Sequence, residues 1–280
     1  MQNPSDSSSI AIDRSSLSPV TKCRCIVKLE FVPLLQLQRD LHNIPRGWER
    51  FSRYLETMLN ADASDIELLP LAIVNPMGKE HVCEMLDTLL TMDASAIAAG
   101  AIAQIEDRFD DLPGELKVGL VLVDDRMGGW TNRYTTEFST RFEIQPNLKW
   151  GWLSAVLWTS ETPSPQTVRQ ETLAAVYRAV YVRRHGLART LQDMLHQEGY
   201  VMAMADCREP YLEAEEIAYT REVLAPHLQS RDYPIAIAGL FGDRAARALG
   251  YPPMGLSERA GFALALHDAR QNRSPNLTAP

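Results

Sequence analysis

The stretch LKVGLVLV, residues 116–123, is the clearest structural signal in the chain and decides the fold class. It is a short apolar run, bounded by Pro113-Gly114 before it and by Asp124-Asp125 after it, which is typical of a buried β-strand. Residues 150–159 are rich in tryptophan and β-branched side chains and predict a second strand. A further short strand is expected within residues 23–31.

Helical patterns dominate on both sides of this sheet region. We therefore expect an α+β fold with a small central sheet and helical N-terminal and C-terminal parts. Residues 233–240 are apolar and fit either a strand or a buried helix. The expected organisation is a disordered tail at 1–20, one α+β domain at 21–271 (helical 33–110, sheet region 115–160, helical 165–270) and a disordered tail at 272–280.

Composition and charge exclude several classes of protein. The 280 residues are 45% hydrophobic and 23% charged, so the chain can form a packed core and is not wholly disordered. The net charge is −8 and the basic residues are scattered, which disfavours nucleic acid and a polybasic membrane anchor as partners. No apolar run approaches the length of a membrane span, and no secretory signal precedes the fold. We expect a cytoplasmic protein with reduced cysteines.

The common nucleotide-binding and catalytic motifs are missing from the sequence. It contains no P-loop, no G-x-G-x-x-G after a strand, no G-x-S-x-G elbow and no H-E-x-x-H. These absences remove the most frequent enzyme classes from consideration.

Two polar residues interrupt the apolar faces of the two helices predicted within residues 165–205. Gln170 lies on the apolar stripe of the first helix, with Glu171 on its flank, and Glu198 lies in the middle of the stripe of the second. A carboxylate on a core face is costly unless it is paired, so Glu198 needs a partner, a metal or a raised pKa. Alternatively, its side chain reaches water at the helix end.

Around these residues the chain resembles the gluzincin metallopeptidases, which carry H-E-x-x-H on one helix and a third ligand, a glutamate, on the next. Gln170-Glu171-Thr172-Leu173-Ala174 stands at the position of H-E-x-x-H, and Glu198-Gly199 at the position of the third ligand. Residues 129–134, whose local pattern fits either an edge strand or a helix start, resemble the strand that aligns substrate, and residues 250–262 resemble a closing segment. The resemblance spans about residues 79–270 and implies a zincin-like fold.

The resemblance lacks both histidines, because Gln170 and Ala174 replace them. It implies Glu171 as general base, Glu198 as metal ligand, and Trp130, Asn132, Arg133 and Tyr134 as further cleft residues. Catalytic zinc needs three protein ligands, which one carboxylate cannot supply. We therefore expect no cofactor, and a hydrogen bond from Gln170 to Glu198 in place of the metal.

Two functions follow from this comparison. The first is a zincin-like pseudoenzyme that acts as a non-catalytic binding or regulatory module for an unidentified protein or peptide. The alternative is a metallopeptidase-like hydrolase in which Glu171 is the general base and zinc is held by Glu198 with histidines such as His185 or His196.

Two further sites with polar residues each fit two possible roles. His81 stands at the start of a predicted helix, where it could bind an anion or be an ordinary first-turn residue. Asp124-Asp125 follows the strand at 116–123 and is either a carboxylate pair or a turn.

Overall fold

The chain is described here by a computed structural model covering residues 28–105, 109, 114–126 and 132–272. Trp130, the predicted tail at 1–20 and the predicted tail at 272–280 apart from Asn272 lie outside these described residues. The predictions for them stay predictions.

A three-stranded parallel sheet forms the centre of the described structure. Its strands are β1 (Lys28–Val32), β2 (Glu115–Val123) and β3 (Trp152–Trp158), in the order β1-β2-β3. In the register, Val118 of β2 lies opposite Phe31 of β1 and Leu153 of β3. The run that decides the fold class in the sequence is thus the central strand, buried on both faces as parallel strands usually are.

Helices fill the connections between the strands and follow the last of them, which confirms the α+β class. Within the described ranges, the helices before β2 are α1 (Leu35–Asn43), α2 (Trp48–Met58), α3 (Glu80–Thr91) and α4 (Ala94–Ala103). Those between β2 and β3 are α5 (Arg133–Phe142) and α6 (Gln145–Lys149). Those after β3 are α7 (Pro165–His185), α8 (Leu191–Met204), α9 (Ala214–Leu224), α10 (Tyr233–Phe241), α11 (Asp243–Ala248) and α12 (Ala260–Gln271).

The two faces of the sheet pack into two apolar clusters. Alternate residues of β2, among them Leu120 and Leu122, face the larger cluster, where α4 and α7 pack. Val121 and Val123 face the smaller cluster, which includes Tyr54 of α2. Burying each such side chain contributes about 1.5–3 kcal/mol, so the sheet is held from both sides.

Gly119 of β2 permits the close packing of the smaller cluster. A Cβ atom at this position would lie 2.6 Å from Cδ1 of Leu34 and 3.0 Å from Cγ of Pro70. Leu34 and Pro70 are both buried, so neither has room to move away. Only glycine lets the chain before α1 and the 3-10 helix Leu69–Ile73 approach the strand this closely.

Among the described residues, no single helix has both the length and the apolar character that crossing a bilayer requires. The bent pair α3 and α4, whose axes differ by 54°, reaches that length and composition only when the two helices are taken together.

Candidate functional site

Glu198 lies in the middle of α8 and is completely buried. Its carboxylate receives two hydrogen bonds from Arg178 of α7, from Nε to Oε1 at 2.7 Å and from Nη2 to Oε2 at 2.9 Å. Arg141 of α5 donates to Oε2 as well, and the amide of Gln197 donates to Oε1 at 3.1 Å. The partner that the sequence requires for this carboxylate is therefore a pair of arginines, and the side chain does not reach water.

The two arginines keep Glu198 ionised. Burial alone would raise the pKa of its carboxyl group, but the charges of Arg178 and Arg141 and the hydrogen bonds they donate lower that pKa to about 2. At neutral pH, Glu198 is thus an anion held between two cations.

A second buried carboxylate, Glu137 of α5, extends this cluster. It accepts from Arg141 Nε at 2.9 Å and from both terminal nitrogens of Arg259, at 2.7 and 3.1 Å. The guanidinium carbons of Arg141 and Arg259 lie 5.0 and 4.9 Å from the ring centre of Phe262. Burial opposes ionisation of Glu137, but the charges of Arg259 and Arg141 hold its pKa far below the ordinary value. We call Glu137, Arg141, Arg178, Glu198 and Arg259 the ionic cluster.

The predicted hydrogen bond between Gln170 and Glu198 is wrong. The Gln170 amide donates instead to the carbonyl oxygen of Asp206, at 2.6 Å. Arg178 follows Gln170 by eight residues, which turns it about 80° around the helix axis, and that side of α7 faces Glu198. Ala174, at the position of the second histidine, is buried in the apolar core.

Glu171, unlike Gln170, lies on the same side of α7 as Arg178. Its side chain lines a cavity of about 20 Å³ between β3, α5 and α7, together with Arg141, Arg178 and Ser154. Burial raises the pKa of its carboxyl group, and the nearby charges of Arg141 and Arg178 counteract only part of that effect. Among the described residues, none donates a hydrogen bond to it. The cavity has room for one water molecule.

Zinc does not fit the residues around Glu198. Both carboxylate oxygens are engaged by guanidinium groups, whose positive charge repels a divalent cation. His196 is exposed on α8 and His185 is exposed at the end of α7. Within the described part of the chain, no group of three histidine, cysteine, aspartate or glutamate side chains could hold a metal ion.

The predicted cleft residues around position 132 begin a helix rather than a strand, which corrects the expectation of a substrate-aligning strand there. Asn132 is the N-cap of α5 and accepts hydrogen bonds from the backbone N–H groups of Tyr134 and Thr135, at 3.0 and 3.3 Å. The ring of Tyr134 packs edge-on against Phe241.

Arg133 is bound at the carboxyl edge of the sheet. Its guanidinium donates to Asp125 at 2.9 Å, to Ser160 at 2.8 Å and to Glu161, and lies 5.0 Å from the ring centre of Trp158. These contacts join the segments that follow β2 and β3. Arg133 therefore has a structural role in the fold.

Asp124 and His81 form a pair at the same edge. Nε2 of His81 lies 2.8 Å from Oδ1 of Asp124, which also accepts from the hydroxyl of Thr159 at 2.9 Å and the backbone N–H of Arg126 at 3.2 Å. Burial raises the pKa of Asp124, but the hydrogen bonds from His81 and Thr159 outweigh it, so the pKa lies below the ordinary value. His81 thus begins α3 as a partner of Asp124.

A larger cavity, not anticipated from the sequence, lies between α9, α12 and the segment after α8. Its volume is about 360 Å³. The apolar part of its wall consists of Leu212, Ile217, Ala263 and Leu266. We call it the α9–α12 pocket.

Polar and aromatic side chains also line the α9–α12 pocket, among them Arg208, Tyr211, His267 and Arg270. These residues come from sequence positions about sixty apart, and none belongs to a recognisable motif. The only sequence signal for them is an exposed aromatic side chain, Tyr211, in a short segment between two helices.

Comparisons with known proteins returned no family model that matches the chain, and no curated protein or solved structure similar to it.

Proposed function

We propose that this protein is a non-catalytic binding module that takes up a small organic ligand in the α9–α12 pocket. The observation that carries the proposal is the volume of about 360 Å³, which lies within the range of about 300–1,000 Å³ typical of ligand sites. The proposal retains the non-catalytic binding role expected from the sequence, but it replaces the expected protein or peptide partner by a small ligand and moves the binding site away from β3. The resemblance to gluzincins stays a prediction.

Cavity size argues against the cleft between β3 and the neighbouring helices. The cavity beside Glu171 measures about 20 Å³ and a second one, beside Trp152 and Asn147, about 10 Å³. The ionic cluster fills the space that a substrate would need. A peptide side chain requires far more room than one water molecule does.

Apolar and polar side chains both line the α9–α12 pocket. Ile217, Ala263 and Leu266 are buried by the protein on one side and line the cavity on the other. Polar side chains among the lining residues, such as Arg208 and His267, can orient a ligand.

A hydrolase with Glu171 as general base has one supporting observation, the raised pKa of that carboxyl group beside a cavity with room for a single water. The same cavity has no room for a substrate carbonyl beside such a water, and zinc does not fit at Glu198. The binding function therefore accounts for more of the geometry.

The experiment is a fragment screen by ligand-observed NMR on three proteins. Ala263→Leu fills the wall of the α9–α12 pocket, and Ala248→Leu, at an exposed position of α11, is the matched control. We expect fragments that bind the wild type and Ala248→Leu but lose binding to Ala263→Leu, with all three proteins folded by circular dichroism. Fragments that bind Ala263→Leu equally well, or an absence of bound fragments, would overturn the proposal.

A further inference from the structure

The residues that line the α9–α12 pocket have a charge opposite to that of the chain as a whole. The chain carries 36 acidic and 28 basic residues, with a net charge of −8. The pocket lining nevertheless contains Arg208 and Arg270 and no aspartate or glutamate. A positively charged site on an acidic protein indicates selection for a negatively charged ligand group.

Neither arginine is neutralised by a carboxylate. Arg208 is exposed and, within the described part of the chain, forms no hydrogen bond or ion pair. Arg270 donates to the carbonyl oxygen of Cys207, which is a neutral group and leaves the charge of the guanidinium available. The same hydrogen bond holds Arg270 at the wall of the pocket, so part of the cost of ordering its long side chain is met before any ligand binds.

Most buried or half-buried arginines elsewhere in the described structure form an ion pair with a carboxylate. Arg141, Arg178 and Arg259 each bind at least one carboxylate of the ionic cluster. Near the pocket, Arg221 binds Asp268 at 2.5 Å. Arg208 and Arg270, both exposed, differ from these arginines in lining a cavity without an acidic partner.

The rest of the pocket accepts an apolar group. Leu212, Ile217 and Leu266 offer no hydrogen-bonding side chain. Ile217 and Leu266 are already buried by the protein, so the hydrocarbon that a ligand can still cover belongs mainly to Leu212, which is half-buried. A ligand complementary to the pocket has a charged head and an apolar body.

We propose that the α9–α12 pocket binds a small organic anion, whose carboxylate or phosphate head meets Arg208 and Arg270 and whose apolar body lies against Leu212, Ile217 and Leu266. This inference rests on the proposed binding function and specifies its ligand class. Guanidinium groups suit both heads, because each presents oxygens to the planar N–H donors.

Four probes with six carbon atoms each and different heads test the ligand class. They are hexanoate, hexyl phosphate, hexanamide and hexylammonium, titrated against the wild type and followed by protein NMR. We expect both anions to bind about 10-fold tighter than the neutral amide, as charge-assisted hydrogen bonds are stronger than neutral ones, and the cation to bind most weakly. The advantage of the anions is expected to shrink as salt is raised from 0.05 to 0.5 M.

Arg208→Gln and Arg270→Gln remove the two charges one at a time. Arg231→Gln, at an exposed arginine outside the pocket, is the matched control. We expect each pocket variant to weaken the binding of hexanoate by about 10-fold and to leave the binding of hexanamide unchanged. The control should change the binding of neither probe.

The outcomes separate this inference from the proposed function. If hexanamide binds as tightly as hexanoate and the arginine variants have no effect, the anion inference is wrong while the binding function stands, provided that Ala263→Leu abolishes that binding. If no probe or fragment binds in a way that depends on Ala263, both are wrong.

Discussion

At the scale of the residue, Glu198 shows that a buried charge needs a counter-charge. Its carboxylate cannot be left alone in the core, because the cost of desolvation is several kcal/mol for an unpaired ion. The partners come from two other helices, Arg178 of α7 and Arg141 of α5, so one side chain joins three elements. The pairing fixes where these helices can lie relative to one another.

Replacing Glu198 by Gln is expected to destabilise the protein by about 3–5 kcal/mol at pH 7, because two buried guanidinium groups lose their counter-charge. The measurement is urea unfolding followed by circular dichroism. Glu222→Gln, at an exposed position of α9, is the control and should change stability little. A loss as small as that of the control would contradict the paired geometry.

Replacing Glu171 by Gln should raise the free energy of unfolding rather than lower it. Because burial raises the pKa of Glu171, the ionised form is unfavourable in the folded state at pH 7, and the neutral amide removes that cost. We expect the variant to be more stable than the wild type at pH 7. The gain should disappear as the pH falls through the raised pKa towards 4.5, where glutamate is protonated in both states. A gain that does not depend on pH would show that the charge of Glu171 is not its source.

Zinc is expected to have no effect on the folded protein, because Glu198 is already held by cations. The melting temperature should be the same before and after treatment with a chelator, and zinc titration should show no stoichiometric uptake. One zinc per chain, lost in Glu198→Gln, would restore the metal hypothesis.

The sequence indicates which residues are unusual but not which residues they meet. The position of Glu198 on an apolar stripe leaves two alternatives, a buried carboxylate with a partner or one that reaches water, and the structure shows the first. The choice of Gln170 as partner is wrong, since contacts across helices depend on the rotation and crossing of α7 and α8, which periodicity does not specify. Arg208 and Arg270 carry no local signal at all, because their place in one pocket depends on how the segment after α8 lies against α12.

At the scale of the element, local sequence patterns predict strands and helices better than they predict contacts between residues. The runs at 116–123 and 150–159 correctly predict β2 and β3, since strand length and composition are local properties. The ambiguous run at 233–240 is the buried helix α10, an outcome that periodicity alone cannot decide. Of the two alternatives for residues 129–134, an edge strand or a helix start, the structure shows the second from Asn132 onward, because that residue caps a helix.

Helix α8 approaches α12 at Gly199, and this contact can be tested. A Cβ atom there would lie 2.5 Å from the carbonyl oxygen of Ala265, so the two backbones are nearly in contact. Gly199→Ala is expected to cost about 1–3 kcal/mol through overpacking. Gly100→Ala is the matched control, because nothing lies within 4 Å of a Cβ atom at Gly100 of α4, and it should stabilise by about 0.5–1 kcal/mol. Equal effects of the two changes in urea unfolding would rule out the close approach.

At the scale of the whole molecule, the buried carboxylates determine how stability depends on pH. The pKa values of Glu137, Glu198 and Asp124 all lie below their ordinary values in the folded protein. Their contribution is therefore complete above the unfolded-state pKa, 4.5 for a glutamate, and is lost as the pH falls from there towards the folded-state pKa, about 2 for Glu198. We expect the urea midpoint to fall steeply over this window and less steeply in Glu198→Gln. A midpoint that does not change between pH 5 and 2.5 would contradict the ionic cluster.

The edge of the sheet at β3 has a consequence for association between copies of the chain. Charged side chains, among them Arg178 and Glu171, line a cavity together with Ser154 of this edge strand. A strand pairing there would have to displace Arg178 and break a buried ion pair with Glu198. The same ion pairs that hold three helices together thereby help to shield an edge strand against the edge-to-edge growth that leads to fibrils.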